Sequence, residues 1–132
     1  MTAARTTPEE ARRLVATFTV PGRAVPKARP RLGKGGRIYT PATTVAYETA
    51  VAWYARASGL RLQPDDRVMV EIDFYLCPVT GDVDNRIKAV CDGLQRAYPE
   101  WDDRHVTYVS GRQIAVANKR EQRTVVRVEV LR

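Results

Sequence analysis

The chain has 132 residues, 44% of them hydrophobic, and carries 22 Lys+Arg against 15 Asp+Glu for a formal net charge of +7. That length predicts one domain around a single core, and no apolar run approaches the roughly 20 residues needed to span a bilayer. The charge favours a polyanionic partner, although a soluble protein without such a partner tolerates it as well.

The N-terminus, MTAARTTPEEARR, lacks the apolar centre of a secretory signal. It reads as a flexible extension over residues 1–12, with one short helical turn capped by Thr7. Leu14 to Val20 is rich in β-branched residues and alternates, so it is read as a strand closed by Pro21-Gly22. Gly22 to Arg37 follows with Arg23, Lys27, Arg29, Arg31, Lys34 and Arg37, no acid, and too much Gly and Pro for regular structure. Clustered cations without acids fit phosphate contact, so Lys27, Arg29, Arg31, Lys34 and Arg37 are the expected DNA-binding set. Tyr39, beside them, suits base stacking and packing equally.

Pro41 suits the first turn of a helix that runs to about Ser58 and stops at Gly59. Its expected apolar stripe is Ala46, Ala50, Trp53, Tyr54 and Ala57, with Val45, Glu48, Thr49, Ala52 and Arg56 on another side. Asp65–Asp66 falls in a turn and receives no catalytic role. Arg67 to Cys77 alternates strictly, which predicts a strand burying Val68, Val70, Ile72, Phe74 and Leu76. After a turn at Pro78 to Gly81, a second helix places Ile87, Val90, Cys91, Leu94 and Ala97 at core spacing, with Asp84 as its expected N-cap. Two strand-like segments, Val106 to Val116 and Arg123 to Leu131, complete the chain. The expected fold is α+β: a single domain with a small mixed sheet and two main helices.

Cys77 and Cys91 have the spacing neither of metal ligands nor of a disulfide framework, and read as packed free thiols. With no signal sequence, they predict a cytoplasmic protein. Trp101 reads as core packing, and His105, the one histidine, is assigned no catalytic part.

The acids of GDVDNRIKAVCDGL, Gly81 to Leu94, are the unusual feature of so basic a chain. Asp82 falls on the loop and Asp84 at the helix start, and Lys88 follows Asp84 by one turn on the same face. Asp92 lies a turn further, and eight residues of helix span about 12 Å, too far for Asp84 and Asp92 to share one small ion. Asp92 is therefore expected to support Lys88 or the neighbouring loop. Asp102–Asp103 follows the helix, on the return toward the same corner. Clustered carboxylates raise one another's pKa unless a cation intervenes. Mg²⁺ accepts one or two carboxylates with waters and phosphate oxygens. Two such ions about 4 Å apart activate a water and stabilise a leaving oxygen, and Lys88 would meet charge building on a phosphate. Metal-dependent phosphodiester hydrolysis fits this set.

The run D-V-D-N-x-x-K-x-x-x-D-x-L from Asp82 to Leu94, followed by Trp101-Asp102-Asp103 and Val106, resembles the signature of the RusA family of Holliday junction resolvases. Val25 to Arg31 (VPKARPR) and Gly36 to Pro41 (GRIYTP) resemble segments of its bacterial and phage members. The resemblance covers most of residues 14–131, so residues 13–132 are the expected endonuclease domain. It implies a homodimeric endonuclease, dependent on Mg²⁺ with Mn²⁺ as a substitute, that resolves four-way DNA junctions by paired incisions in recombination and repair. It implies a bacterial or phage-encoded protein. By the same resemblance Asp82, Asp84 and Asp103 are catalytic metal ligands and Lys88 is the essential lysine. Asn85, Asp92 and Asp102 then form a supporting shell. The Gly- and Arg-rich loop departs from the asparagine- and aromatic-rich version of some members. Two alternatives stay open: a nucleic-acid-binding module without catalysis, and a nuclease acting on other branched DNA.

Overall fold

The computed structural model describes residues 14–131; the expected extension, with its Thr7-capped turn, lies outside them. Six strands and two α-helices follow in chain order: β1 (Leu14–Pro21), β2 (Arg31–Leu32), β3 (Ile38–Tyr39), α1 (Ala42–Ala57), β4 (Arg67–Leu76), α2 (Val83–Ala97), β5 (Val106–Ala115) and β6 (Arg123–Leu131). The main sheet has the order β1-β6-β4-β5. β6 runs antiparallel to both β1 and β4, whereas β5 runs parallel to β4, so the sheet is mixed. The parallel pair requires a crossover, and α2 is that crossover.

Period-two alternation decides which face of the sheet is buried. Val68, Val70, Ile72, Phe74 and Leu76 of β4 are buried, as are Val126, Val128 and Val130 of β6 and Phe18 and Val20 of β1. Buried residues of α1 and α2 join them in one core. The other sheet face is laced with ion pairs, Arg127 with Glu71 and Glu129, and Arg112 with Asp73. The exposed pairs, Arg127 with Glu71 and Arg112 with Asp73, contribute little to stability.

The helices meet closely at one point. A Cβ built on Gly93 would stand 2.5 Å from Val51 Cβ and 3.1 Å from the Glu48 carbonyl, so only glycine lets α2 lie so near α1. α1 itself corrects the expected stripe. Its buried residues are Thr44, Tyr47, Glu48, Val51, Ala52 and Ala55, while Trp53 is 59% exposed. The shift is possible because the burial of Glu48 is compensated: its carboxylate takes Lys27 Nζ at 2.8 Å and Arg96 Nε at 2.7 Å. Of the expected stripe, Ala46, Trp53 and Ala57 face solvent, Ala50 and Tyr54 are partly buried against the core, and Trp53 packs edge-on against Tyr54. Trp101 is buried and donates Nε1–H to the Asp66 carbonyl at 2.8 Å, which satisfies its polar end.

The basic loop is also more regular than expected. Gly22 to Pro30 has no regular structure, but β2 and β3 pair as a small antiparallel hairpin around a 3₁₀ turn at Lys34–Gly36.

Candidate active site

The segment from β4 into α2 carries the acids, and its local geometry follows from the caps. Asp82, not Asp84, is the N-cap of α2: its Oδ1 accepts the Asp84 N–H at 2.9 Å. Asp84 therefore sits inside the first turn, where its charge meets the positive end of the helix dipole. The expected cap was two residues late because an aspartate suits either position.

Successive turns of α2 then line up Asp84, Lys88, Asp92 and Gln95 on the side away from the core. Asp82, Asp84, Asn85 and Lys88 are exposed. Lys88 Nζ reaches Asp92 Oδ1 only at 4.0 Å and keeps 63% of its side chain in solvent, so its ammonium is available to a ligand. Asp92 is more tightly engaged by Lys27, at 3.0 Å. Asp103 opens the 3₁₀ turn Asp103–His105, and its N–H donates to Gln95 Oε1 at 3.0 Å. The carboxylates of Asp92 and Asp103 also reach Cys91: burial, then these two charges, push its thiol up to about 11, with Lys88 opposing. One face of α2 thus gathers Asp92, Lys88 and Asp103 around Cys91, with Asp84 at its N-terminal end. Asp102 is turned to its own loop, accepting from the Arg104 N–H and Nε, which hold its carboxyl below the usual carboxylate range.

A family model described as endodeoxyribonuclease RusA matches residues 21–130, from the last residue of β1 to the penultimate residue of β6. This chain belongs to the RusA family. No curated protein matches it significantly. As a RusA-family protein it is a nuclease of DNA, and the family acts on branched junctions. No helix among the described residues is long and apolar enough to cross a membrane.

The donor set bears on a metal in two ways. Among the described residues, no group of three or more Asp, Glu, His or Cys side chains is gathered to hold an ion. Asp103 is joined to α2 through its N–H and the Gln95 side chain, and its charge acts on Cys91, about two turns beyond Asp84. Asp82 and Asp84 are nonetheless hard oxygen donors, exposed, adjacent and two residues apart. A pair of carboxylates completed by water is a donor set that Mg²⁺ accepts. The pair fits a hydrated divalent ion; a closed three-aspartate shell is not present within the described chain.

Sequence reasoning missed the residue that holds this loop. Arg86 is 2% exposed. Its Nε donates to the Ala24 carbonyl at 3.1 Å, and its Nη1 to the Thr80 carbonyl at 2.5 Å and Gln113 Oε1 at 2.7 Å. Arg23 clamps the same turn from outside, donating to the Pro78 carbonyl at 2.9 Å and Thr80 Oγ1 at 2.8 Å. Burial and the neighbouring Arg23 pull the Arg86 pKa below the ordinary arginine value. Gly81, at φ +92°, completes the turn, and a Cβ there would meet Arg86 Nη1 at 3.0 Å. The acid-bearing loop of this RusA-family protein is therefore held by two guanidinium groups, with Val83 packed against the core beside them.

The expected DNA-binding cations divide. Arg29, Arg31, Lys34 and Arg37 are exposed, and none has an ion-pair partner among the described residues. Lys27 is turned inward, between Glu48 and Asp92, and its N–H donates to the Asn85 carbonyl at 2.8 Å. Burial works against its charge, but the hydrogen bonds and charges of Glu48 and Asp92 outweigh it and raise the Lys27 pKa. Lys27 thus pins the basic loop onto the first turn of α2.

Proposed function

We propose that the protein is a divalent-metal-dependent, structure-selective endonuclease that resolves four-way DNA junctions by paired hydrolysis in recombination and repair. The observation carrying this reading is the solvent-facing row Asp82, Asp84 and Lys88 at the start of α2, within a chain matched to RusA along its fold. Asp82 and Asp84 would hold Mg²⁺, or Mn²⁺ in its place, and Asp103 adds a third carboxylate on the same side of α2. When bound, such an ion supplies Lewis-acid stabilisation of phosphate charge and lowers the pKa of water.

The chain's own groups supply the rest. Lys88 directs a point charge toward the scissile phosphate and counters the charge that develops there. Asp92 and Lys27 hold the lysine's surroundings, and Arg86 and Arg23 keep the Asp82 turn in place. Arg29, Arg31, Lys34 and Arg37 bind phosphates of the arms, which makes affinity fall with salt. A homodimer follows from the task, since two symmetric incisions need two symmetric sites. The protein would act in the cytoplasm of a bacterium, for itself or for a phage.

Purified protein incubated with a labelled four-way junction, a linear duplex and a flap, with and without Mg²⁺, tests the reading. Paired nicks in the junction alone are expected. Equal cutting of junction and duplex would retain the nuclease and reject the resolvase. Binding without cutting in any divalent ion would leave only a nucleic-acid-binding module.

A further inference from the structure

Leu32 and Ile38 are each 75% exposed, the highest values among the exposed large apolar residues described. They stand directly opposite each other in the β2–β3 hairpin. Cross-strand partners share a face with Cβ atoms about 5 Å apart, so the two side chains form one aliphatic ridge. The opposite face carries Arg31 and Tyr39, the other cross-strand pair. Gly33 packs there under Tyr39, since a Cβ would meet its ring at 3.2 Å, and the Gly33 N–H donates to the Arg37 carbonyl at 2.6 Å. The ridge is therefore presented by a locally braced turn.

Single exposed apolar residues need no explanation. This pair differs in its surroundings. Arg29, Arg31, Lys34 and Arg37 flank it in the chain, and no acid occurs from Gly22 to Tyr47. A second protein surface would have to offer an apolar patch ringed by acids. Branched DNA offers phosphates beside base steps whose continuous stack is interrupted at the branch. Aliphatic wedges of Leu and Ile are inserted between base steps by other DNA-bending proteins, at a cost of a few kcal/mol per step. The hairpin lies within the span matched to an endodeoxyribonuclease, and Lys27 ties its base to α2 through Asn85 and Asp92.

We propose that Leu32 and Ile38 form an apolar wedge that seats against unstacked bases at the DNA branch point, while Arg29, Arg31, Lys34 and Arg37 hold the flanking phosphates. This inference rests on the branched-DNA reading above and assigns the hairpin the task of opening the branch. The wedge keeps the branch open and positions a strand for the acid face of α2.

A four-way junction carrying 2-aminopurine beside the branch point, titrated in EDTA so that nothing is cut, reads base unstacking as a rise in fluorescence. The wild-type protein should produce that rise at saturation. Leu32→Ser with Ile38→Ser should bind with an unchanged salt slope, melt at the wild-type temperature and give no rise. Leu32→Met with Ile38→Met should restore it. A full rise from the serine variant overturns the wedge, as does wild-type binding with no rise. A change of association state in the serine variant, seen by sedimentation, would make the ridge a contact between copies and also overturn it. A wild-type protein that fails to bind any branched DNA sinks the resolvase reading itself, and the wedge with it.

Discussion

The first turns of α2 and the β2–β3 hairpin both present charge to solvent, but they are built differently. α2 buries Arg86, Ala89, Val90, Gly93, Leu94 and Ala97, and its entry turn is held by Arg86 and Arg23. The hairpin buries none of β2 or β3 and is fixed mainly at its base, through Lys27. Carboxylates must be held within a fraction of an ångström to act on a phosphate, whereas contacts to a backbone tolerate adjustment. A rigid element for chemistry and an exposed one for substrate is the division that this difference teaches.

The comparison breaks first at Lys88. Lys88→Ala should lower the saturated junction-cleavage rate about 10²–10³-fold and leave the melting temperature unchanged, because the side chain is largely in solvent. Single-turnover kinetics with a thermal melt read both. A variant that loses its fold instead would make Lys88 a packing residue.

Arg86 tests the rigid side. Arg86→Met removes hydrogen bonds to Ala24, Thr80 and Gln113 and leaves the buried Ala24 carbonyl unsatisfied, so it should destabilise the fold by about 3 kcal/mol in urea unfolding. Unchanged stability would remove the clamp from the account. On the hairpin side, Arg31→Ala with Arg37→Ala should weaken junction binding and reduce its log–log salt slope by about 2, with no change in stability. A slope identical to wild type would take both residues off the DNA.

The smallest effect concerns Cys91. With its thiol pushed up to about 11, it is protonated at pH 8 and should alkylate slowly. Asp103→Asn removes a negative neighbour, lowers that pKa, and should speed labelling modestly across pH 8–10. No change would place Asp103 away from this face.

What the sequence disclosed follows the same division. β4 was legible because a strict alternation from Val68 to Leu76 admits one buried face, and the mixed sheet with two helices is present as expected. Val90, Leu94 and Ala97 were legible for the same reason at helical spacing. The buried face of α1 was not, because Glu48 reads as solvent-facing until Lys27 and Arg96, 21 and 48 residues away, are seen to pair with it. Arg86 was hidden likewise, since the Ala24 carbonyl and the Gln113 side chain that it meets come from other segments. The acids, Lys88 and the exposed cations are local in sequence and could be named from it. The return of Asp103 onto α2, through Gln95, depends on tertiary packing.

The most direct test crosses the two regions. Asp82→Asn and the Arg31→Ala, Arg37→Ala variant are compared for junction affinity and for saturated cleavage rate in Mg²⁺. The account predicts that Asp82→Asn binds as wild type but does not cut, while the arginine variant binds weakly yet cuts at the wild-type rate once saturated. Loss of affinity in Asp82→Asn with its rate retained, or loss of the saturated rate in the arginine variant, would contradict it.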